Sequence, residues 1–355
     1  MRTIAIVNQK GGCGKTTTAI NLSANLAAAD RKVLLIDLDP QAHTSIGLNI
    51  NVKELEVSIY DIFSDAVGKS IDTAAVKIED NLDLVPSQLI LSAVEQELSG
   101  KVGRENVLLK SIQRMRTNYD YLIIDCPPSL GLLTINALRA CNEAIIPIDM
   151  SIFALRGVMQ LKEIINTIKV ETNHKILTKA LATNFNMRTN FAHHILDEIA
   201  NNFNDAFYDT VIHRTVKLKE AASLGKPITK ISKRSRGAVD YSSFCEEVIA
   251  EEKKIREVIP YELGPKLNNG KIVFHYFDPK ATEVKIAGDF TDWDTTKNIG
   301  LHKNSNDVWE ASISIKPGNY RYKFIVDGKW ISDPFNPEET TETDGIKNSK
   351  ITITG

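Results

Sequence analysis

Between residues 8 and 22 the chain reads NQKGGCGKTTTAINL, directly after a strand-like start. Here Gly11, Gly12, Cys13, Gly14, Lys15, Thr16 and Thr17 form a candidate nucleotide-binding segment. The glycines let the backbone turn so that successive amides face phosphate oxygens, Lys15 brings a positive charge to the β- and γ-phosphates, and the Thr16 hydroxyl can ligate magnesium. Cys13 holds the variable position of the loop and reads as neutral filler. Such a loop needs only Lys15, so the earlier cation, Lys10, asks for a role of its own. Two further stretches place acids at strand ends: LLIDLDPQ closes with Asp37 and Asp39, and YLIIDCPPS with Asp125. At the tip of its strand, Asp125 would hold the magnesium shell through water. Strand-end carboxylates of a doubly wound sheet lie at the ligand crevice, beside the phosphate loop.

These side chains need a scaffold, and the first 258 or so residues supply one. Short apolar runs alternate with helical stretches: RTIAIVN, KVLLIDLD, LDLVPS, YDYLIIDCPP, EAIIPIDM and ILTKALATNF. Runs without polar alternation are strands buried on both faces, which predicts an α/β fold with a doubly wound, mostly parallel sheet. Ala19, Leu22 and Leu26 form one apolar stripe on the helix that follows the glycines. A last helix is expected over about 241–258, then a linker over 259–270 marked by Pro260, Gly264, Pro265 and Gly270. From 271 to 355 the texture changes to KIVFHYFDP, TEVKIAGDF, VWEASISI, NYRYKFIVDG and SKITITG, with turn signals such as Asp327-Gly328. This predicts a small all-β sandwich holding all three tryptophans.

Composition narrows the class. The 355 residues carry a net charge of −2, so a surface for a polyanion must be a local patch. Four cysteines share no CxxC or CxxH spacing, which argues against structural zinc and disulfides and suits a reducing cytoplasm. No signal core opens the chain, and no run approaches the roughly 18 apolar residues of a membrane span.

With KGGCGKT, LLIDLDPQ and YLIIDCPPS in hand, residues 1–255 resemble the ParA/MinD family of deviant Walker A ATPases, and are most similar to its small chromosomal ParA (Soj) members. INALRACNEAIIPI, RTNFAHHILDEI and VKLKEAASLGKPI carry the same likeness. The resemblance implies ATP and Mg2+ as cofactors and a homodimer formed on ATP binding. It makes Lys10 the signature lysine that reaches the phosphates held by the other subunit, and gives Asp39 the orienting of the attacking water. Lys10, Lys15 and Asp39 are thus the catalytic candidates. It also implies nonspecific DNA binding and release by a ParB-like activating protein. Because the chain begins at the first strand, the N-terminal DNA-reading extension of large plasmid relatives is not expected.

The DNA patch is sought between His213 and Gly237, where Arg214, Lys217, Lys219, Lys226, Lys230, Lys233, Arg234 and Arg236 face the single acid Glu220. Arg188, Lys217, Lys219 and Arg236 are the candidate contacts, with Lys217 standing where the family carries arginine and His213 where it carries proline. Membrane binding of the MinD kind is not expected, since CEEVIAEEKKIREV is rich in glutamate. A cytoplasmic, nucleoid-associated protein follows.

VKIAGDFTDWD, VWEASISIKPGNYRYKFIVDGKWISDPFNP and GIKNSKITI resemble the glycogen-binding domain of AMP-activated protein kinase β subunits, an early-set, immunoglobulin-like sandwich. The resemblance implies α-glucan binding by Trp293, Lys323, Trp330 and Asn348, with Asp344 and Ile346 departing from the pattern. A packing module for protein contacts is the plainer reading of the sandwich. For the whole chain the alternative is a nucleotide-switched, glycogen-associated regulatory protein with no DNA role.

Overall fold

The computed structural model divides into two compact units, Met1–Glu252 and Lys253–Gly355. It describes all residues except 65–69, 151–153, 173, 187–194, 197–202, 204–205, 253–264, 269–270, 279–280, 295–296, 304–307, 334–335, 337–338, 342–346 and 354–355. Arg188, Asp344, Ile346 and most of the expected linker lie outside the described residues.

In the first unit seven strands form one sheet. They are β1 (Arg2–Ile6), β2 (Val33–Asp37), β3 (Val76–Glu79), β4 (Leu82–Val85), β5 (Tyr121–Asp125), β6 (Glu143–Asp149) and β7 (Leu177–Thr183), in the order β3-β4-β2-β5-β1-β6-β7. Every pairing is parallel except β3 with β4. All six expected strands form. The seventh, β3, has a half-exposed VKIE sequence without the apolar signature, because it is an antiparallel edge.

Alternate residues of each central strand feed opposite cores. Ala5, Leu34, Ile36, Leu122, Ile124 and Ile146 pack on one face, and Ile4, Ile6, Leu35, Leu84, Ile123 and Ile145 on the other. The helices are α1 (Lys15–Ala28), α2 (His43–Gly47), α3 (Ile59–Ser64), α4 (Val94–Glu97), α5 (Val107–Gln113), α6 (Leu132–Ala140), α7 (Ala154–Thr172), α8 (Val216–Ser223), α9 (Ile228–Ile231) and α10 (Arg236–Ala250). On α1 the stripe of Ala19, Leu22 and Leu26 is wholly buried.

The helix expected at about 241 starts five residues earlier, as α10, because the Ser235 hydroxyl caps it by accepting from the Ala238 amide. Its C-terminal end is stitched inward. Glu247 accepts from the amides of Asp209 and Thr210 at 2.8 and 3.1 Å, Glu251 pairs with Lys179, and Glu252 takes Arg31 at 2.9 Å and the Tyr121 hydroxyl at 2.7 Å. Three glutamates of the glutamate-rich CEEVIAEEKKIREV stretch are therefore anchors. Beside them Arg2 makes a two-pronged pair with Glu143, both contacts 2.7 Å, and donates to the Val248 carbonyl at 2.6 Å.

The second unit is two antiparallel sheets. One joins β11 (Ile299–Gly300), β10 (Val284–Gly288), β14 (Gly318–Val326), β17 (Lys347–Ile353) and β16 (Glu339–Thr341), with β15 (Lys329–Ile331) paired to β14. The other joins β12 (His302–Lys303), β13 (Val308–Ile313), β9 (Lys271–Phe277) and β8 (Lys266–Asn268). Phe274, Tyr276, Ile286, Trp309, Tyr322 and Phe324 fill the core. Tyr322 enters it with its hydroxyl satisfied, donating to Asp333 at 2.6 Å and accepting from Asn336 at 2.9 Å.

Candidate functional site

A turn that only glycine adopts easily leads from β1 into α1. Gly12 and Gly14 have φ of 75° and 95°, the left-handed region that a Cβ disfavours. No side chain caps α1, so its first amides are left for an outside acceptor, the arrangement of an anion site. The loop is tied from behind: Thr183, ending β7, donates to the Cys13 carbonyl at 2.7 Å, and Asn184 to that of Gly12 at 3.3 Å. Cys13 is wholly buried and its thiol is pushed up by that burial, which fits filler rather than a reactive group.

Lys15 is nearly buried and donates to the Lys10 carbonyl at 3.2 Å, arching over the loop. Lys10 itself turns to Asp149 at the end of β6, with contacts of 2.8 and 2.7 Å. In the single chain the surplus cation is thus held by a carboxylate of its own subunit.

Strands β2 and β5 pair in register at Asp37 and Asp125, so two fully buried carboxylates sit side by side. Burial, and secondarily Asp125, pushes the Asp37 carboxyl up to about 8; burial likewise raises Asp125 to about 6. Asp37 is spent on structure, since it accepts from the Ser45 amide at 2.8 Å and the Ser45 hydroxyl at 2.6 Å and so fixes α2. Asp125 Oδ2 accepts two hydroxyls, Thr16 at 2.8 Å and Thr44 at 2.7 Å, while Oδ1 is buried without a hydrogen-bond partner. An orphaned carboxylate oxygen beside a threonine hydroxyl is the hard, oxygen-only donor set that suits a hydrated Mg2+. The residues therefore fit the metal that the loop implies.

These groups open on one cleft of about 1120 Å3 lined by the loop glycines, Lys15, Thr16, Thr17, Asp39, Gln41, Asp149 and Thr183. Asp39 is set in it by the turn after β2, where its Oδ1 accepts from the Gln41 amide at 2.9 Å. The helix α8 and the loop before it contribute Ile212, Arg214, Leu218 and Lys219.

Of the DNA candidates, the described Lys217, Lys219 and Arg236 differ in their surroundings. Lys217 and Lys219 are two residues apart on α8, a spacing that points them apart. Lys219 lines the cleft mouth, whereas Lys217 pairs with Glu220 at 2.6 Å. Arg236 pairs with buried Asp240 at 2.9 Å, and the same carboxylate takes the His213 amide at 2.8 Å and lies 3.0 Å from its ring Nδ1. His213 is thus locked into the loop that brings Arg214 to the cleft. Lys233 and Arg234 are exposed and make no ion pair among the described residues.

In the sandwich, Asp327-Gly328 has φ of 46° and 82° and closes the two-residue hairpin from β14 to β15. That turn sets Trp330 opposite Ile325, on the sheet face shared with Lys323 and opposite to that of Tyr322 and Phe324. Trp293 comes from the loop after β10, its indole donating to Asp289 at 2.8 Å, and its ring lies 6.1 Å from that of Trp330 at 34°. Trp330 is 43% exposed, so the pair is a surface platform. Trp309 is instead a core residue. Continuing the β14–β17 register by one residue sets Asn348 opposite Lys323, but Asn348 is only 4% exposed and offers little surface to a ligand.

Sequence reasoning missed Asp149 and Thr44. The strand-end rule that found Asp125 would also have found Asp149 after EAIIPI; nothing local marks Thr44.

The parallel sheet, the phosphate loop and the paired strand-end acids define a P-loop ATPase fold. Residues 1–178 match the family described as an AAA domain, and residues 271–354 the one described as the glycogen recognition site of AMP-activated protein kinase. The sporulation initiation inhibitor protein Soj of Bacillus subtilis is 43% identical over 248 residues, 70% of this chain and 98% of that protein. The chromosome partitioning protein ParA of Caulobacter vibrioides is 38% identical over 258 residues, 71% of this chain and 96% of that protein. The chain belongs to the ParA/Soj family of partitioning ATPases.

Solved relatives include cobyrinic acid a,c-diamide synthase from Mycobacterium smegmatis with bound ADP and magnesium, 30% identical with a TM-score of 0.61 over 71% of this chain and 96% of that one. A putative plasmid partition protein from Borrelia burgdorferi bound to AMPPNP is 26% identical with a TM-score of 0.60, over 70% of this chain and 99% of that one. No helix among the described residues is long and apolar enough to cross a membrane.

Proposed function

We propose that the chain is a Mg2+-dependent ATPase that dimerises on ATP, binds DNA nonspecifically and uses hydrolysis to partition or position a cargo in the cytoplasm, on the nucleoid. The observation that carries this reading is that Lys15, Thr16 and Asp39 line one cleft, with Lys10 bonded to its Asp149 and buried Asp125 bonded to its Thr16. The free amides of α1 and Lys15 hold the phosphates, Thr16 and Asp125 would hold the metal and its water, and Asp39 orients the attacking water. When bound, Mg2+ neutralises charge on the phosphates. Lys10 would exchange Asp149 for the nucleotide of a second subunit, which makes ATP the signal for dimerisation. A ParB-like protein would stimulate hydrolysis and end the bound state. Lys219, Lys233 and Arg234, and Lys217 once freed from Glu220, are the cations best placed for phosphate contacts. Such contacts give affinity without sequence preference and a steep loss with salt. Retention of random duplex DNA by the full chain tests the reading: it should require ATP and be abolished by Lys10→Ala. Retention that is equal with and without nucleotide would contradict it.

The exposed Trp293–Trp330 pair supports a further part of the reading. Two neighbouring rings, with Lys323 on the same sheet face as Trp330, offer surface suited to the apolar faces of glucose units, so the sandwich is proposed as an α-glucan module that marks the cargo. The full chain should be retarded in a native gel containing glycogen, and Trp330→Ala should abolish the retardation. Equal mobility with and without glycogen would return the sandwich to protein contacts. ATPase stimulation by glycogen but not by DNA would favour the alternative of a glycogen-associated, nucleotide-switched regulator.

A further inference from the structure

Thr44 lies on α2, a helix of five residues that starts just after the turn bearing Asp39. It is wholly buried, and its hydroxyl donates to Asp125 Oδ2 at 2.7 Å. The Thr16 hydroxyl donates to the same oxygen at 2.8 Å, while Oδ1 has no hydrogen-bond partner. Two donors on one oxygen and none on the other define the rotation of the carboxylate. The Thr16 oxygen would also turn a lone pair to the metal while its O–H donates to Asp125, so its position answers to two partners. Thr44 has no such second duty.

We propose that Thr44 is a positioning residue for the metal site: it occupies Asp125 Oδ2 so that Oδ1 is the oxygen presented to the water shell of the cation. The same short segment carries Asp39 into the cleft, so one stretch of backbone, anchored by Ser45 on Asp37, fixes the spacing between the water-orienting acid and the metal-holding one. The strain in this segment agrees with a fixed geometry. Ala42, the residue before α2, has a φ of 54°, a left-handed conformation that a Cβ disfavours. The surrounding bonds to Asp37 and Asp125 hold it there. Groups that orient a metal ligand from behind typically change metal affinity by about 10–100-fold when lost.

The inference rests on the Mg2+-nucleotide reading above, and the test separates the two. Binding of a fluorescent ADP analogue to the full chain is titrated with Mg2+, and separately measured in EDTA, for the wild type, Thr44→Ser, Thr44→Val and Thr44→Ala. Thr44→Ser keeps the hydroxyl and should keep the wild-type Mg2+ half-saturation within about twofold. Thr44→Val and Thr44→Ala should raise it about tenfold or more, with metal-free ADP affinity changed far less. Valine preserves the shape and alanine leaves slack, so a folding failure in one still leaves the other. Wild-type binding that Mg2+ does not strengthen would sink the nucleotide reading itself. A wild type that responds to Mg2+, beside a valine or alanine variant with the same half-saturation, would overturn the assignment of Thr44.

Discussion

Replacing Asp39 with alanine should leave ATP bound and cut its steady-state hydrolysis by about two to four orders of magnitude, the range for losing a group that moves or orients a proton donor in the transition state. The geometry explains the separation of binding from turnover. Asp39 shares the cleft with Lys15 and Thr16, and among the described residues its carboxylate accepts from the Gln41 amide and makes none of the loop's hydrogen bonds. The phosphate cradle therefore survives the substitution intact. Single-turnover hydrolysis and nucleotide affinity measured on one preparation decide the matter. A fall in affinity of the same size as the fall in rate would show that Asp39 holds the nucleotide rather than the water. Asp37→Asn is the informative contrast, because Asp37 spends its oxygens on Ser45 and the Asp39 amide, and its loss should appear as instability of α2 before it appears as lost chemistry.

The second large effect is on stability. Arg2 and Glu143 form a two-pronged pair with side chains 3% and 4% exposed, and Arg2 also bonds the Tyr121 hydroxyl and the Val248 carbonyl. Glu143→Ala strands the guanidinium in the interior, which costs about 3–5 kcal/mol. At about 2–4 °C per kcal/mol for a unit of this size, the calorimetric transition of the ATPase unit should fall by roughly 10 °C. The separate sandwich transition serves as an internal reference. The double replacement Arg2→Met with Glu143→Leu should recover most of the loss, since no charge is then left unpaired. An equally unstable double variant would mean that losing the Arg2 bonds to Val248 and Tyr121 costs as much as the unpaired charge did.

What the sequence could disclose followed from how far apart the cooperating residues lie. The loop from Lys10 to Thr17 is legible because its chemistry is local, and the six buried strands because a strand covered on both faces has an uninterrupted apolar run. Asp327-Gly328 disclosed a turn, whereas Trp330 was marked by the resemblance alone and placed by the hairpin register. By contrast Lys10 and Asp149 are 139 residues apart, and Thr44 and Asp125 are 81 apart. Only the sheet order brings them together. Edge strand β3 escaped because an exposed antiparallel edge needs no apolar run. The basic segment from 213 to 237 was legible as charge but not as surface, since Glu220, Glu79 and Asp240 each claim one of its cations.

The stitched end of α10 has a mechanical consequence. Tension applied to the backbone beyond Glu252 would not peel the helix turn by turn. It would be divided at once among Arg31 in the turn between α1 and β2, Tyr121 on β5, Lys179 on β7 and Arg2 on β1, four separate places pulled side by side. Loads shared in parallel must break several contacts together rather than one after another. A pull from the C-terminal side would thus load the central sheet itself, and the helix would act as a bolt rather than a spring.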